Sequence, residues 1–263
     1  MLRKVFKYDF KSLVKQIFPL LFVMLLLGGV SCALSFLSDS LADNMVLLGG
    51  LFTSVIVLSV IAIAVLAVVS LVLVFYRYFK SVFTDEGYLT NVLPLSPSEL
   101  FFGKTLVGCV FIPLTVLVTL IAYLVAFLIY PMVTLGIDPR EAWELLDGFL
   151  RAFLLGETLF DRITLLTSLL ASGFEWIFII YTAITVGSLT CRRHKMLGSL
   201  LFVMILTTVE ELVKGSVTLL PLLLPSASGG WLLYMTDSVM SVLIATALCL
   251  FTLRLFSKKF NIE

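Results

Sequence analysis

Apolar residues fall in long blocks along the chain, over 17–37, 45–76, 105–131, 163–191, 196–213 and 231–256, with the polar residues gathered between them. Crossing a hydrocarbon core of about 30 Å takes roughly 20 predominantly apolar helical residues. The first three blocks carry no charge, the fourth carries only Glu175, the fifth holds Glu210 and Glu211, and the sixth holds Asp237 and Arg254. This pattern predicts an all-α polytopic membrane protein with six transmembrane helices forming a single membrane domain over 1–263.

The connections predict smaller elements. Over 1–16, Lys4, Lys7, Lys11 and Lys15 alternate with Val5, Phe6, Tyr8, Phe10 and Leu13, the pattern of an amphipathic helix lying on a membrane surface. Over 138–155, Asp138-Pro139 opens a helix whose Ala142, Leu145, Leu146, Phe149 and Phe153 recur at helical spacing, which predicts an interfacial helix on the opposite side. The stretch 215–230 is apolar but interrupted by Pro221 and Pro225, and proline breaks the backbone ladder that lipid requires, so a re-entrant hairpin is expected there. Between the second and third spans, Pro94 disfavours helix at Leu93, while Ser96-Pro97-Ser98-Glu99 is a capping box with proline at the first helical position. A separate short helix over 85–92 is the consequence, with acidic residues at its start and Tyr88, Leu89 and Val92 as its apolar edge.

Composition narrows the classes of function. Hydrophobic residues make up 60% of the chain and charged residues 13%, with a mean hydropathy of +1.14; soluble domains are about 45–50% apolar and about 25% charged. That excess has no place to hide in a compact soluble body of this size, so a soluble fold is excluded. A net charge of +1 provides no field for nucleic acid. Cys32, Cys109, Cys191 and Cys249 stand singly, without the spacing of a metal site. With the N-terminus inside, 14 of the 18 Lys and Arg fall on the cytoplasmic side and four (Arg140, Arg151, Arg162, Lys214) outside, so both termini are expected in the cytoplasm.

The stretch RYFKSVFTDEGYLTNVLPLSPSELFFGK resembles the elbow of the ATP-binding-cassette type-2 permease family, in its small subgroup common in Gram-positive bacteria. TVGSLTCRRHKMLGSLL at the turn between the fourth and fifth spans, and the closing LRLFSKKFNIE, are similar to the same subgroup. The resemblance implies a permease subunit in a bacterial plasma membrane, paired with a second permease, identical or paralogous, in a type V exporter-like arrangement. It implies that 85–92 is the cytoplasmic coupling helix, through which Asp85, Glu86, Tyr88, Leu89 and Val92 bind a separate ATPase subunit carrying ATP and Mg, with no cofactor in this chain. It also implies that the extracellular re-entrant hairpin at Pro221 and Pro225 is an outer gate. The expected function is outward movement of an amphiphilic peptide, lipid or drug, with no catalytic or metal-binding residue in the chain itself. A membrane sensor or immunity component that binds a peptide with the same fold is the alternative.

Two other motifs point to chemistry that their context opposes. Gly103-Lys104-Thr105 looks like the end of a phosphate-binding loop, but position 98, which such a loop fills with glycine, is Ser98, and the triplet opens a membrane helix in which Lys104 reads as an inner-leaflet anchor. Glu210-Glu211 resembles the paired glutamates of membrane-embedded CAAX-type proteases, yet the single histidine, His194, lies 16 residues earlier, roughly 24 Å along a helix. Glu210 is expected to pair with Lys214 one turn on. Glu175, near the middle of the fourth span, must face protein or water. Contact with a transported substrate and a clamp between helices are both open for it. Gly29 with Ala33 offers a small-residue face for close packing of the first span.

Overall fold

The computed structural model describes residues 2–42, 46–84, 96–134, 140–141, 144, 147–148, 159–191, 193–222 and 230–260. Six long helices account for nearly all of them: α1 (Leu2–Ala42), α2 (Val46–Phe83), α3 (Pro97–Thr134), α4 (Leu159–Thr190), α5 (Lys195–Leu222) and α6 (Gly230–Phe260). Each contains a stretch long and apolar enough to cross a membrane. Large apolar side chains such as Leu58, Leu170, Leu200 and Leu212 are exposed on their surfaces, as expected where lipid is the solvent. The molecule has the architecture of a multi-pass membrane protein.

Helix boundaries follow the capping chemistry closely in one place. At the start of α3 the Glu99 amide donates to Ser96 Oγ and the Ser96 amide donates to Glu99 Oε2, both at 3.3 Å, with Pro97 as the first helical residue. That reciprocal pair is the predicted capping box.

Two boundaries differ from expectation. Residues 2–16 are the first turns of α1 rather than a separate surface helix. A change from polar to apolar side chains leaves the i→i−4 ladder intact, and Pro19 removes only one donor from it. At 41 residues, α1 is about 60 Å long, well beyond a hydrocarbon core of about 30 Å. Residues 215–222 likewise prolong α5 rather than opening a hairpin, with Pro221 in the helix's last turn, where the loss of a donor costs least. Pro225 and the rest of 223–229 lie outside the described residues, as does most of 138–155.

The chain forms two compact units. One comprises residues 1–9, 75–109 and 152–263, and the other 10–74 and 110–151. In the second, α1 buries Ile17, Leu21, Met24, Gly28, Ser31 and Ser35, a stripe at heptad spacing. There a Cβ on Gly28 would stand 2.9 Å from the Ala122 carbonyl oxygen of α3, so glycine is required for that approach. Gly29, by contrast, meets none of the described residues within 4 Å. The small-residue face expected at Gly29 and Ala33 is exposed, and the packing face is the adjoining one. Ser31 Oγ bonds Ser59 Oγ of α2 at 2.5 Å and Tyr123 OH donates to the Val60 carbonyl at 3.4 Å, adding polar links between helices. In the first unit α4 packs against both α5 and α6, which also meet each other.

Candidate functional site

Along α4 the buried polar side chains Thr164, Ser168, Glu175 and Thr182 follow one another at intervals of four and seven residues, so they share one face. An apolar helix gains nothing by turning such a seam toward lipid, and here it points into the bundle with α5 and α6. Lys214 of α5 reaches across it. Its ammonium donates to Glu175 Oε2, lies 3.0 Å from Glu210 Oε1 one turn earlier on α5, and lies 3.7 Å from Asp237 Oδ1 on α6. The expected Glu210–Lys214 pair is present, and Glu175, on which the sequence left two readings open, shares the same ammonium.

The side chains are graded in depth. Asp237 is 34% exposed, Lys214 14%, Glu210 7% and Glu175 0%. Among the described residues, three carboxyl groups thus share one ammonium. Glu175 Oε1 and Glu210 Oε2 are buried without a hydrogen-bond partner among the described residues. Thr182 Oγ1 and Ser241 Oγ, the latter one turn beyond Asp237 on α6, are in the same condition. Buried polar atoms of this kind are costly unless they meet water or a ligand.

A second polar centre joins the ends of α2 and α3 that flank the elbow. Asp9 of α1 lies 3.3 Å from Lys104 Nζ and 3.6 Å from Arg77, and Lys104 also donates to the Ser81 carbonyl at 3.3 Å. Lys104 is therefore a buried ion-pair partner rather than a headgroup anchor. Lys195, at the start of α5, donates at 2.9 Å to the carbonyl of Phe83, the last residue of α2 and a group with no acceptor role left inside its helix. The α4–α5 turn that carries Lys195 is closed by two glycines. A Cβ on Gly187 would overlap the backbone of Gly198 and Ser199, and one on Gly198 would stand 2.6 Å from Cys191 Cβ. Beside them Tyr78 and Tyr181 pack edge to face with ring centroids 4.1 Å apart, Tyr78 OH bonds Thr185 Oγ1 at 3.1 Å, and Gly108 of α3 leaves the room that the Tyr181 ring occupies.

The residues expected to engage an ATPase, Asp85, Glu86, Tyr88, Leu89 and Val92, lie outside the described residues. Gly103-Lys104-Thr105 sits inside α3, where the backbone amides serve the helix and form no phosphate cradle. His194 is exposed ahead of α5, and Glu211 is exposed beyond Glu210. Among the described residues, no group of three or more His, Cys, Asp or Glu side chains is arranged to hold a metal ion. Comparison with protein-family models, with curated proteins and with solved structures finds no match. The polar seam was readable in principle from the spacing of Thr164, Ser168, Glu175 and Thr182; the pairing of Glu175 with Lys214, 39 residues on, had no local signal.

Proposed function

We propose that the chain is the membrane-spanning permease subunit of an ATP-driven exporter, moving an amphiphilic substrate outward while a separate ATPase subunit hydrolyses ATP. The observation that carries this is the bracing of the elbow's two roots. Asp9 holds Arg77 on the helix entering the elbow and Lys104 on the helix leaving it, and Lys195 holds the last carbonyl before it. The connection over 85–92, expected from the sequence to be a coupling helix, would pass a push from a cytoplasmic partner through such braced roots to several membrane helices at once. The resemblance of this stretch to type-2 permease elbows adds to the same reading. Glu175, at the floor of the α4–α6 cluster, is the candidate contact on the substrate path, and ATP hydrolysis belongs to the partner subunit.

The test is co-purification in mild detergent from native membranes. An ATP-binding-cassette ATPase should come with the tagged wild-type chain, and Tyr88→Ala with Leu89→Ala should release it while the permease keeps its melting behaviour. Apolar anchors of this kind commonly cost about 2 kcal/mol or more each when truncated. A wild-type preparation devoid of ATPase would overturn the reading, as would a double variant that holds it fully.

A further inference from the structure

We infer that the Glu175–Glu210–Asp237 cluster binds a hydrogen-bond-donating organic cation, an ammonium or guanidinium group on an apolar body, in competition with the tethered ammonium of Lys214. Lys214 is shared by all three carboxyl groups. One ammonium does not fill their acceptor sites, and a second N–H donor fits those left over. The acceptors for it are present: among the described residues Glu175 Oε1 and Glu210 Oε2 are buried and unpartnered, and Ser241 Oγ, also buried and unpartnered, lies one turn from Asp237. These atoms form no metal-binding group among the described residues, which favours a cation that donates N–H bonds over one that needs a closed oxygen shell.

The depth gradient describes the approach. Asp237, a third exposed, is the first carboxylate a cation meets, and Glu175, wholly buried, is the last. Exposed Tyr234, one turn before Asp237 on the same face of α6, supplies apolar surface for the body of an amphiphile. Lys214 then acts as a built-in occupant of the carboxyl oxygens until a competing cation arrives. The binding site stands independently of the exporter reading; that the cation is cargo rests on it.

The experiment uses the purified chain in phosphatidylcholine nanodiscs at fixed ionic strength, titrated calorimetrically with octylammonium, octylguanidinium and octyltrimethylammonium, with empty discs subtracted. The two N–H donors should bind saturably and at least tenfold more tightly than the trimethylated cation, which offers no donor. Glu175→Gln and Glu210→Gln should each weaken octylguanidinium at least tenfold, since a charged hydrogen-bond acceptor is lost, whereas Glu144→Gln, at an exposed position, should leave it unchanged. Lys214→Met removes the competitor and should tighten binding at least tenfold. Absence of saturable binding to the wild-type chain, or equal affinity for the trimethylated cation, overturns the inference without any variant, and leaves internal water as the partner of the buried oxygens. Folded Gln variants with wild-type affinity overturn it as well. Saturable, donor-dependent binding by a chain that brings no ATPase from native membranes would keep the site and remove the exporter.

Discussion

Adjacent glycines in α1 have opposite surroundings. A methyl group on Gly28 would press on the Ala122 carbonyl of α3 at 2.9 Å, while one on Gly29 would enter open space. Gly28→Ala should therefore cost about 1–3 kcal/mol, the range for overpacking a close contact. Gly29→Ala should be neutral or stabilising by up to about 1 kcal/mol through helix propensity alone. Melting of the two variants in the same lipid checks the contrast, and equal shifts would place the packing face elsewhere. The contrast also shows why the face was hard to read. A helix that is apolar all round has no amphipathic side, so a small-xxx-small pattern at Gly29 and Ala33 is as plausible as one containing Gly28. The clue was polar: Ser31 and Ser35 continue the Gly28 register, and hydroxyls in an apolar span belong where they can find a partner.

Helices as elements were legible to the extent that backbone chemistry ends them. The capping box at Ser96 fixed the start of α3 because it satisfies amides that nothing else would. The breaks expected after residue 16 and at Gly215 rested on polarity and proline, and neither suffices to stop a helix near its end. What the sequence leaves dark is how the elements are joined, since Asp9 meets Lys104 across 95 residues. That junction makes a sharp prediction. Lys104 is almost wholly buried, and removing one partner of a buried pair costs about 3–5 kcal/mol, whereas replacing both by apolar groups of similar size is often close to neutral. Asp9→Asn should lower stability by an amount near that range, reduced by the acceptor that the Ser81 carbonyl still provides. Asp9→Leu with Lys104→Met should recover most of the loss. A double variant less stable than Asp9→Asn would show that the pair stabilises the helix ends beyond the cost of an unmatched charge.

At the scale of the whole molecule, six helices long and apolar enough to span a membrane predict both ends of the chain on one side, and the charge pattern predicts which side. Lys and Arg near span ends are retained in the cytoplasm during insertion, and 14 of the 18 lie in the connections that share the N-terminal side. The four native cysteines are free and can be replaced to give a background without thiols. In it, Arg193→Cys in the α4–α5 turn and Ser257→Cys near the end of α6, both at exposed positions, should react only with a reagent that enters the cytoplasm. Glu144→Cys, exposed in the connection between α3 and α4, should react with an impermeant maleimide on intact cells. If Arg193→Cys is labelled from outside while Glu144→Cys is protected, the orientation is inverted. Asp9, Arg77, Lys104 and Lys195 would then brace a loop that no cytoplasmic ATPase could reach, so this labelling also bears on the exporter reading before any partner is isolated.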